Sequence, residues 1–162
     1  MARTKKKAKA DTSGRKIIAR NKRAFRDYFI TDRYEAGLVL LGSEVKSLRD
    51  GRANIGDAYA EIKGGEVFLV SSHITEYPQA THENHEPRRT RKLLLNRSEI
   101  KKLMIKLLER GFTLVPLDLY FYKGRAKIEL GLAKGKHQYD KRHAMRDRDQ
   151  QRDEEVAERR RR

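Results

Sequence analysis

The chain of 162 residues has no cysteine and only three prolines. The missing thiols exclude structural disulfides, thiolate metal sites and cysteine nucleophiles, and they fit a reducing compartment. No apolar run is long enough to span a bilayer, and no hydrophobic signal core follows the basic N-terminus. No basic segment carries a strong apolar face, which argues against a membrane-surface anchor. The expectation is a soluble, cytoplasmic protein. Acids are scarce at the start: residues 1–26 hold eleven Lys and Arg against Asp11 alone, a charge of +10. Residues 27–132 carry +2 and residues 133–162 carry +4, giving +16 in all. An end-loaded basic protein suits a polyanion, because binding to phosphates releases counterions.

Residues 1–16 are Lys-rich and cannot bury enough apolar surface to offset their ordering entropy, so they are expected to be disordered. Ile17 and Ile18 begin the ordered part. Residues 21–30 then mix cations with aromatics. Phe25 and Phe29 read as anchors to a core, whereas Asn21, Lys22 and Arg23 lean towards contact with RNA, whose bases offer flat faces and whose backbone offers charge. Residues 34–41 read as a strand. Ser43 is the expected N-cap of a short helix ending near Asp50-Gly51. Ala58, Ala60 and Ile62 alternate with polar partners up to Gly64-Gly65, and residues 66–70 return as the second strand of a hairpin that runs on towards Tyr77.

The stretch from Pro78 to Lys92 reads as a polar, solvated loop, with Arg88, Arg89, Arg91 and Lys92 as a candidate phosphate-binding edge. His82 and His85 have a His-x-x-His spacing, but two histidines without cysteine are too few for a zinc site. With Glu83 or Glu86 they would make a weak nuclease motif that nothing orients. Neither a metal nor a cofactor nor a catalytic residue is expected. Asn96 to Gly111 reads as a helix, with Glu99 completing a capping box and Ile100, Leu103, Met104, Leu107 and Leu108 forming an apolar stripe. A second hairpin follows, with Leu117, Leu119, Phe121, Ala126, Ile128, Leu130 and Leu132 facing inward and Tyr120, Tyr122, Arg125 and Lys127 on the other face. Two hairpins, one long helix and one short one give the expected fold: mainly β, an oligonucleotide-binding-like closed β-barrel with flanking α-helices and a long basic C-terminal tail. A flatter α+β sheet is the alternative. The domains are then a basic arm over 1–16, a barrel over 17–132 and a tail over 133–162. The tail has helix-favouring pairs such as Glu155 with Arg159 but no continuous apolar face, so it is a conditional helix that orders on a polyanionic surface.

Several separated stretches resemble one family. They are Asn21-Lys-Arg-Ala24, Tyr28-Phe-Ile30, Tyr34-Glu-Ala-Gly37 with the following Glu-Val-Lys-Ser-Leu-Arg49, Thr90-Arg-Lys-Leu-Leu-Leu-Asn96, and Ala133-Lys-Gly-Lys136 with Asp140-Lys-Arg142. In this order they resemble the SmpB (small protein B, SsrA-binding protein) family of trans-translation. The resemblance implies an RNA-binding adaptor rather than an enzyme. Such an adaptor binds the tRNA-like domain of transfer-messenger RNA, supports its alanylation by alanyl-tRNA synthetase, and reaches stalled ribosomes with elongation factor Tu. Its tail enters the vacant mRNA channel beside the small-subunit decoding region, and the nascent chain is tagged for degradation. It would be a monomer when free. The positions that match family RNA-binding positions are Asn21, Arg26, Tyr28, Glu35, Leu94, Asn96 and Lys127, beside the Lys22 and Arg23 already singled out. The tail positions linked to the ribosome are Lys134, Gly135, Lys136, Asp140, Lys141 and Arg142. A generic oligonucleotide-binding protein, such as an RNA chaperone, is the competing reading.

Overall fold

The computed structural model describes residues 14–80 and 82–161; the side chains of residues 138–141, 143, 144 and 161 lie outside that description. Most of the Lys-rich arm also lies outside the described residues. The elements in order are β1 (Lys16–Arg20), α1 (Lys22–Asp27), β2 (Tyr28–Leu38), α2 (Gly42–Arg49), β3 (Ala53–Asn54), β4 (Tyr59–Lys63), β5 (Glu66–Val70), β6 (His73–Ile74), β7 (Arg91–Leu94), α3 (Arg97–Leu108), β8 (Phe112–Tyr122), β9 (Arg125–Gly135) and α4 (Gln138–Arg161). The protein is mainly β with flanking helices.

All the long strands pair antiparallel. The seven-stranded sheet runs β1-β8-β4-β5-β7-β2-β9, and β8 also pairs along its length with β9. Both expected hairpins form. Each turns on two residues at positive φ: Gly64 and Gly65 in the first, Lys123 and Gly124 in the second. That is the backbone a two-residue turn needs to match strand twist. The first hairpin is shorter than expected. Strand β5 stops at Val70 because Ser71 has φ 60°, and residues 73–74 pair instead with β3 in a separate two-stranded sheet. Strand β9 runs to Gly135, three residues past the expected end of the barrel.

Bulges decide which side chains enter the core. Pairing of β8 with β9 shifts between Pro116 and Asp118, leaving Leu117 as the extra residue. One extra residue moves every following side chain to the opposite face. Leu119 and Phe121 therefore join the main core with Leu69, Leu93, Leu103, Ile128 and Leu130. Leu117 does not join it, contrary to the simple alternation. It packs with Ala24, Val115 and Ala133 in a second, smaller cluster under α1. A matching shift in β2, between Ile30 and Asp32, puts Ile30 against that cluster and Tyr34 and Ala36 in the main core.

Two helices differ from the pattern. Helix α2 is capped at Leu41, not Ser43, because the Glu44 carboxylate accepts the Leu41 N–H at 2.8 Å. In α3 only Leu103 is fully buried, with Ile100 and Leu107 packed beside it, while Met104 and Leu108 are 45% and 87% exposed. The apolar stripe is wider than the sheet that covers it. Glu99 does cap the helix start, accepting the Asn96 N–H at 3.2 Å.

The stretch from Pro78 to Lys92 is largely exposed, as expected of a polar loop, but two of its residues, His85 and Arg91, are buried. Arg91 is fully buried and donates to Glu44, to the Ser72 hydroxyl and carbonyl, and to the carbonyls of Pro87 and Arg89 at 2.8–3.1 Å. Arg89 closes on the other oxygen of Glu44 at 2.7 Å. His85 is buried too, its Nε2 2.9 Å from the Ile74 carbonyl and its Nδ1 2.9 Å from the Ser43 hydroxyl. Buried polar groups persist where they are paired, and every donor named here has an acceptor. The phosphate-binding edge expected of Arg89 and Arg91 is therefore spent on the interior.

Candidate nucleic-acid interface

The sequence candidates fall into two groups at opposite ends of β2. Glu35, Leu94 and Lys127 converge around Gly37, which pairs with Leu94 on one side and Lys127 on the other. Seven residues before Glu35 on the strand, roughly 20 Å away at the rise of a β-strand, Tyr28 leaves α1 with Asn21, Lys22, Arg23 and Arg26.

Glu35 is the centre of the first group. It accepts a hydrogen bond from the Tyr120 hydroxyl and another from Lys127 Nζ at 2.6 Å, and Arg15 reaches the same carboxylate at 3.5 Å. These partners hold its carboxyl below the ordinary range; the Lys127 hydrogen bond contributes most and the Tyr120 bond next. Tyr120 sits beneath the surface, not on it as the alternation implied, with the Arg15 guanidinium over its ring at 4.6 Å. Burial raises the Tyr120 phenol above its ordinary range, and the bond to Glu35 raises it further. Glu129 lies directly across from Glu35 on β9, and Arg15 lies 3.8 Å from it, so one cation bridges two like charges. Lys127 also lies over the Tyr122 ring at 5.5 Å. Beside this network a groove of about 470 Å3 runs along Gly37, Leu94, Phe121, Arg125 and Lys127. Leu94 is 53% exposed on its edge, and Asn96 is exposed where β7 gives way to α3. The arrangement offers an apolar edge, a tyrosine face and oriented cations, with a carboxylate that fixes the cations in place.

The second group depends on Asn21, which is itself buried. Its Nδ2 donates to the Pro116 carbonyl at 2.9 Å, its Oδ1 accepts the Ala24 N–H at 3.1 Å, and its backbone N–H donates to the Leu117 carbonyl at 2.8 Å. Asn21 thus caps α1 and fastens it to the bulge in β8. Lys22 and Arg23 point outward, Arg23 paired with Asp57 at 2.7 Å, and Arg26 pairs with Asp27 at 3.0 Å. Tyr28 packs on the small cluster below.

The tail positions join this second group. The Lys136 N–H donates to the Asp27 carbonyl at 2.9 Å, and Lys136 Nζ reaches the Phe25 carbonyl at 3.3 Å while lying 4.8 Å over the Phe29 ring. Lys134 lies over Phe112 at 5.7 Å, and Gly135 pairs with Tyr28. From α4, Arg148 also donates to the Phe25 carbonyl, at 3.1 Å. Arg142 is exposed. The side chains of Asp140 and Lys141 lie outside the described residues.

A family model described as SmpB protein matches residues 18–160. The chain belongs to the SmpB family. A protein named SsrA-binding protein from Thermobifida fusca is 59% identical over 162 residues, the full length of both chains. Another of that name, from Geobacter sulfurreducens, is 56% identical over 140 residues, covering 86% of this chain and 92% of its own. A solved chain described as tmRNA-SmpB in the bacterial ribosome is 44% identical, with a TM-score of 0.63 over 78% of this chain and 93% of that one.

Within this SmpB chain, sequence reasoning missed Arg15 and Tyr120, which complete the Glu35 network, and Asp57, which engages Arg23. Arg15 lies in the segment expected to be disordered, and Tyr120 lies on the face that the alternation gives it but is buried there, with the Arg15 guanidinium over its ring. No signal in the chain pointed to Asp57. Among the described residues no group of three or more His, Asp or Glu is placed to hold a metal ion. Likewise no helix is long and apolar enough to cross a membrane.

Proposed function

We propose that this protein is the RNA-binding adaptor of trans-translation. It binds the tRNA-like domain of transfer-messenger RNA, supports its alanylation, and accompanies it with elongation factor Tu to stalled ribosomes in the cytoplasm. It carries out no chemistry itself and is a monomer when free. Membership of the SmpB family over nearly the whole chain is the observation that carries this reading. The pairing of β8 with both β4 and β9 supports an oligonucleotide-binding-like closed barrel, since it returns the sheet to its own edge.

The two ends of β2 suit two tasks. The Glu35–Lys127–Leu94 surface, with Asn96, takes the tRNA-like domain. The α1 surface, from Lys22 to Tyr28, adjoins Lys134, Gly135 and Lys136 and hands on to the tail, whose Asp140, Lys141 and Arg142 engage the decoding region. Helix α4 is exposed along its described length and carries the low apolar content of a conditional helix. It would take its working shape in the RNA-lined message channel.

Deleting residues 138–162 tests this division, since the cut leaves β9 and the Lys136 contacts intact. Filter binding should show affinity for the tRNA-like domain within about threefold of the full chain, while tagging on stalled ribosomes is abolished. A loss of RNA affinity as large as the loss of tagging refutes the division.

A further inference from the structure

Helix α3 leaves one face uncovered. Its inner side is Leu103, fully buried, with Ile100 and Leu107 packed beside it. At 3.6 residues per turn, Arg97, Lys101, Met104, Ile105 and Leu108 fall within about 100° of one another on the outer side. Met104, Ile105 and Leu108 are 45%, 65% and 87% exposed. Single exposed apolar residues are ordinary, but a contiguous apolar stripe rimmed by polar residues marks an interaction surface. Beside Met104 a groove of about 610 Å3 runs between α3 and the Gly64-Gly65 turn, with Leu93 and Ile100 in its lining. The charge around the stripe is of one sign. Glu66 is held by Lys92 at 2.7 Å, Glu109 by Lys106 at 3.4 Å, and Glu99 accepts the Asn96 N–H. Arg97, Lys101, Lys102 and Arg110 make no hydrogen bond or ion pair with any described residue.

We infer that this face docks an acidic amphipathic helix of a second protein, with its apolar residues on Met104, Ile105 and Leu108 and its carboxylates on Arg97 and Lys101. The inference goes beyond the adaptor reading and does not depend on it. The stripe is about 16 Å long, the length of a helix of about three turns. Amphipathic helices recognise such faces through residues at i, i+3, i+4 and i+7. Carboxylates on the partner complement cations that no acid of this chain engages. RNA would satisfy the cations but not the stripe, because none of its three apolar residues offers the flat aromatic face on which a base stacks. A second copy of α3 would set cation against cation, or strip water from Arg97 and Lys101 against Ile105 and Leu108. Helix α4 of a second copy fits no better: Arg148, Arg152 and Arg159 outnumber Asp149 on the side that bears Met145 and Val156.

The probe is a fluorescein-labelled helical peptide of about five turns, with leucine along one face and glutamate on its flanks. Its counterpart carries glutamine in place of glutamate. Anisotropy with the full-length protein should show the acidic peptide binding at least tenfold tighter than the glutamine peptide. Lys101→Glu should bring the two within about twofold, and Ile105→Ser combined with Leu108→Ser should weaken the acidic peptide at least tenfold. All three positions are exposed, so unchanged urea midpoints should show that these losses are not misfolding. Equal binding of the two peptides, or acidic binding that survives the double substitution, overturns the inference. In filter binding to the tRNA-like domain the double variant should stay within about twofold of the unsubstituted protein. A fivefold loss there gives the face to RNA and overturns the inference. So does pelleting with phosphatidylglycerol vesicles that the double variant abolishes, which gives the face to lipid. In cells, a photo-crosslinking residue in place of Leu108 should join a protein segment that is net acidic and amphipathic, and a synthetic copy of that segment should displace the probe. Crosslinks only to RNA, to a second copy, to a segment without those features or to nothing overturn the inference. Failure of the unsubstituted protein to bind the tRNA-like domain would instead overturn the adaptor reading alone.

Discussion

Replacing Glu35 should expose a hidden cost in the surface proposed to bind RNA. Glu35 is 40% exposed, and its bonds to Lys127 and Arg15 are solvent-screened, worth about 0–1 kcal/mol together. The Tyr120 hydroxyl is different, because the whole residue is buried. Glu35→Ala leaves that donor without its acceptor, at about 1–3 kcal/mol. Tyr120→Phe removes the donor instead. The Glu35 carboxylate then keeps Lys127 and water, so the loss should be about 0.5–1.5 kcal/mol. In the double substitution nothing buried is left unpaired. It should be no less stable than Glu35→Ala alone, which gives a coupling of about 1 kcal/mol or more between the two positions. The assay is urea unfolding of the full-length chain at neutral pH, followed by far-ultraviolet circular dichroism, with the denaturant slope constant across the four proteins. Filter binding to the tRNA-like domain gives the second readout. Glu35→Ala should lose affinity, because Lys127 and Arg15 lose the group that orients them, whereas Tyr120→Phe should retain it. Stability losses that add to within about 0.3 kcal/mol would refute the coupling. An equal loss of affinity in Tyr120→Phe would refute the view that the carboxylate, rather than the phenol, positions the cations.

Glu44 links stability to pH. Burial pushes its carboxyl up, but the Arg89 hydrogen bond, the Leu41 N–H and the Arg91 charge outweigh burial and hold it below its ordinary value of 4.5. The unfolded chain therefore binds more protons than the folded one at acid pH, so this stability is present above about pH 4.5 and is lost as pH falls through the folded value. Urea midpoints measured downward from pH 5 should fall less steeply in Glu44→Gln than in the unsubstituted protein. At neutral pH the same substitution should cost about 3–5 kcal/mol, because Arg91 is left buried without its counter-charge. In α3, Leu103→Ala should cost about 2–5 kcal/mol, whereas Leu108→Lys should stay within about 0.5 kcal/mol, as unfolding midpoints would show. Gly131→Ala would place a methyl 3.0 Å from Leu117 Cδ1 and 3.1 Å from Ile30 Cγ2, and the overpacked cluster should lose about 1–3 kcal/mol by the same assay.

The strands and turns were readable where the signal was local. Gly64-Gly65 and Lys123-Gly124 named both hairpins, and Asn96 with Glu99 named the start of α3. What escaped depended on contacts far apart in the chain. The bulge at Leu117 has no local mark, yet it moves Leu117 out of the main core, and nothing local says that Arg15 covers Tyr120. Arg89 and Arg91 read as solvated because their acceptors, Glu44 and Ser72, lie far away in the sequence. In α3 periodicity gave the face correctly but not its width, since width depends on how much sheet lies opposite. The candidate set of site residues comes from family resemblance and not from a local signal. Its division into two groups was not legible, because the division follows from which end of β2 each residue occupies.

That division explains why Asn21 matters although it is buried. Its amide holds α1 to the carbonyl of Pro116, beside the bulge that turns Leu117 towards α1. Helix α1 has only six residues and buries Ala24 alone, so its own hydrogen bonds could not keep it folded. The cap and the small cluster beneath must do so. The carbonyl of Phe25 near its end is then fixed in place, and Lys136 and Arg148 both donate to it. A helix C-terminus favours such cations. The start of the tail is thus positioned by the same short helix whose outer face displays Lys22 and Arg23. Displacing α1 would move its outer face and the start of the tail together while leaving the Glu35 surface in place, so Asn21→Ala should lower tagging more than Lys22→Ala does, with affinity for the tRNA-like domain retained in both. Measuring affinity for the tRNA-like domain and tagging for the two variants separates these effects. Equal profiles for Asn21→Ala and Lys22→Ala would show that the buried amide does no more than an ordinary surface contact.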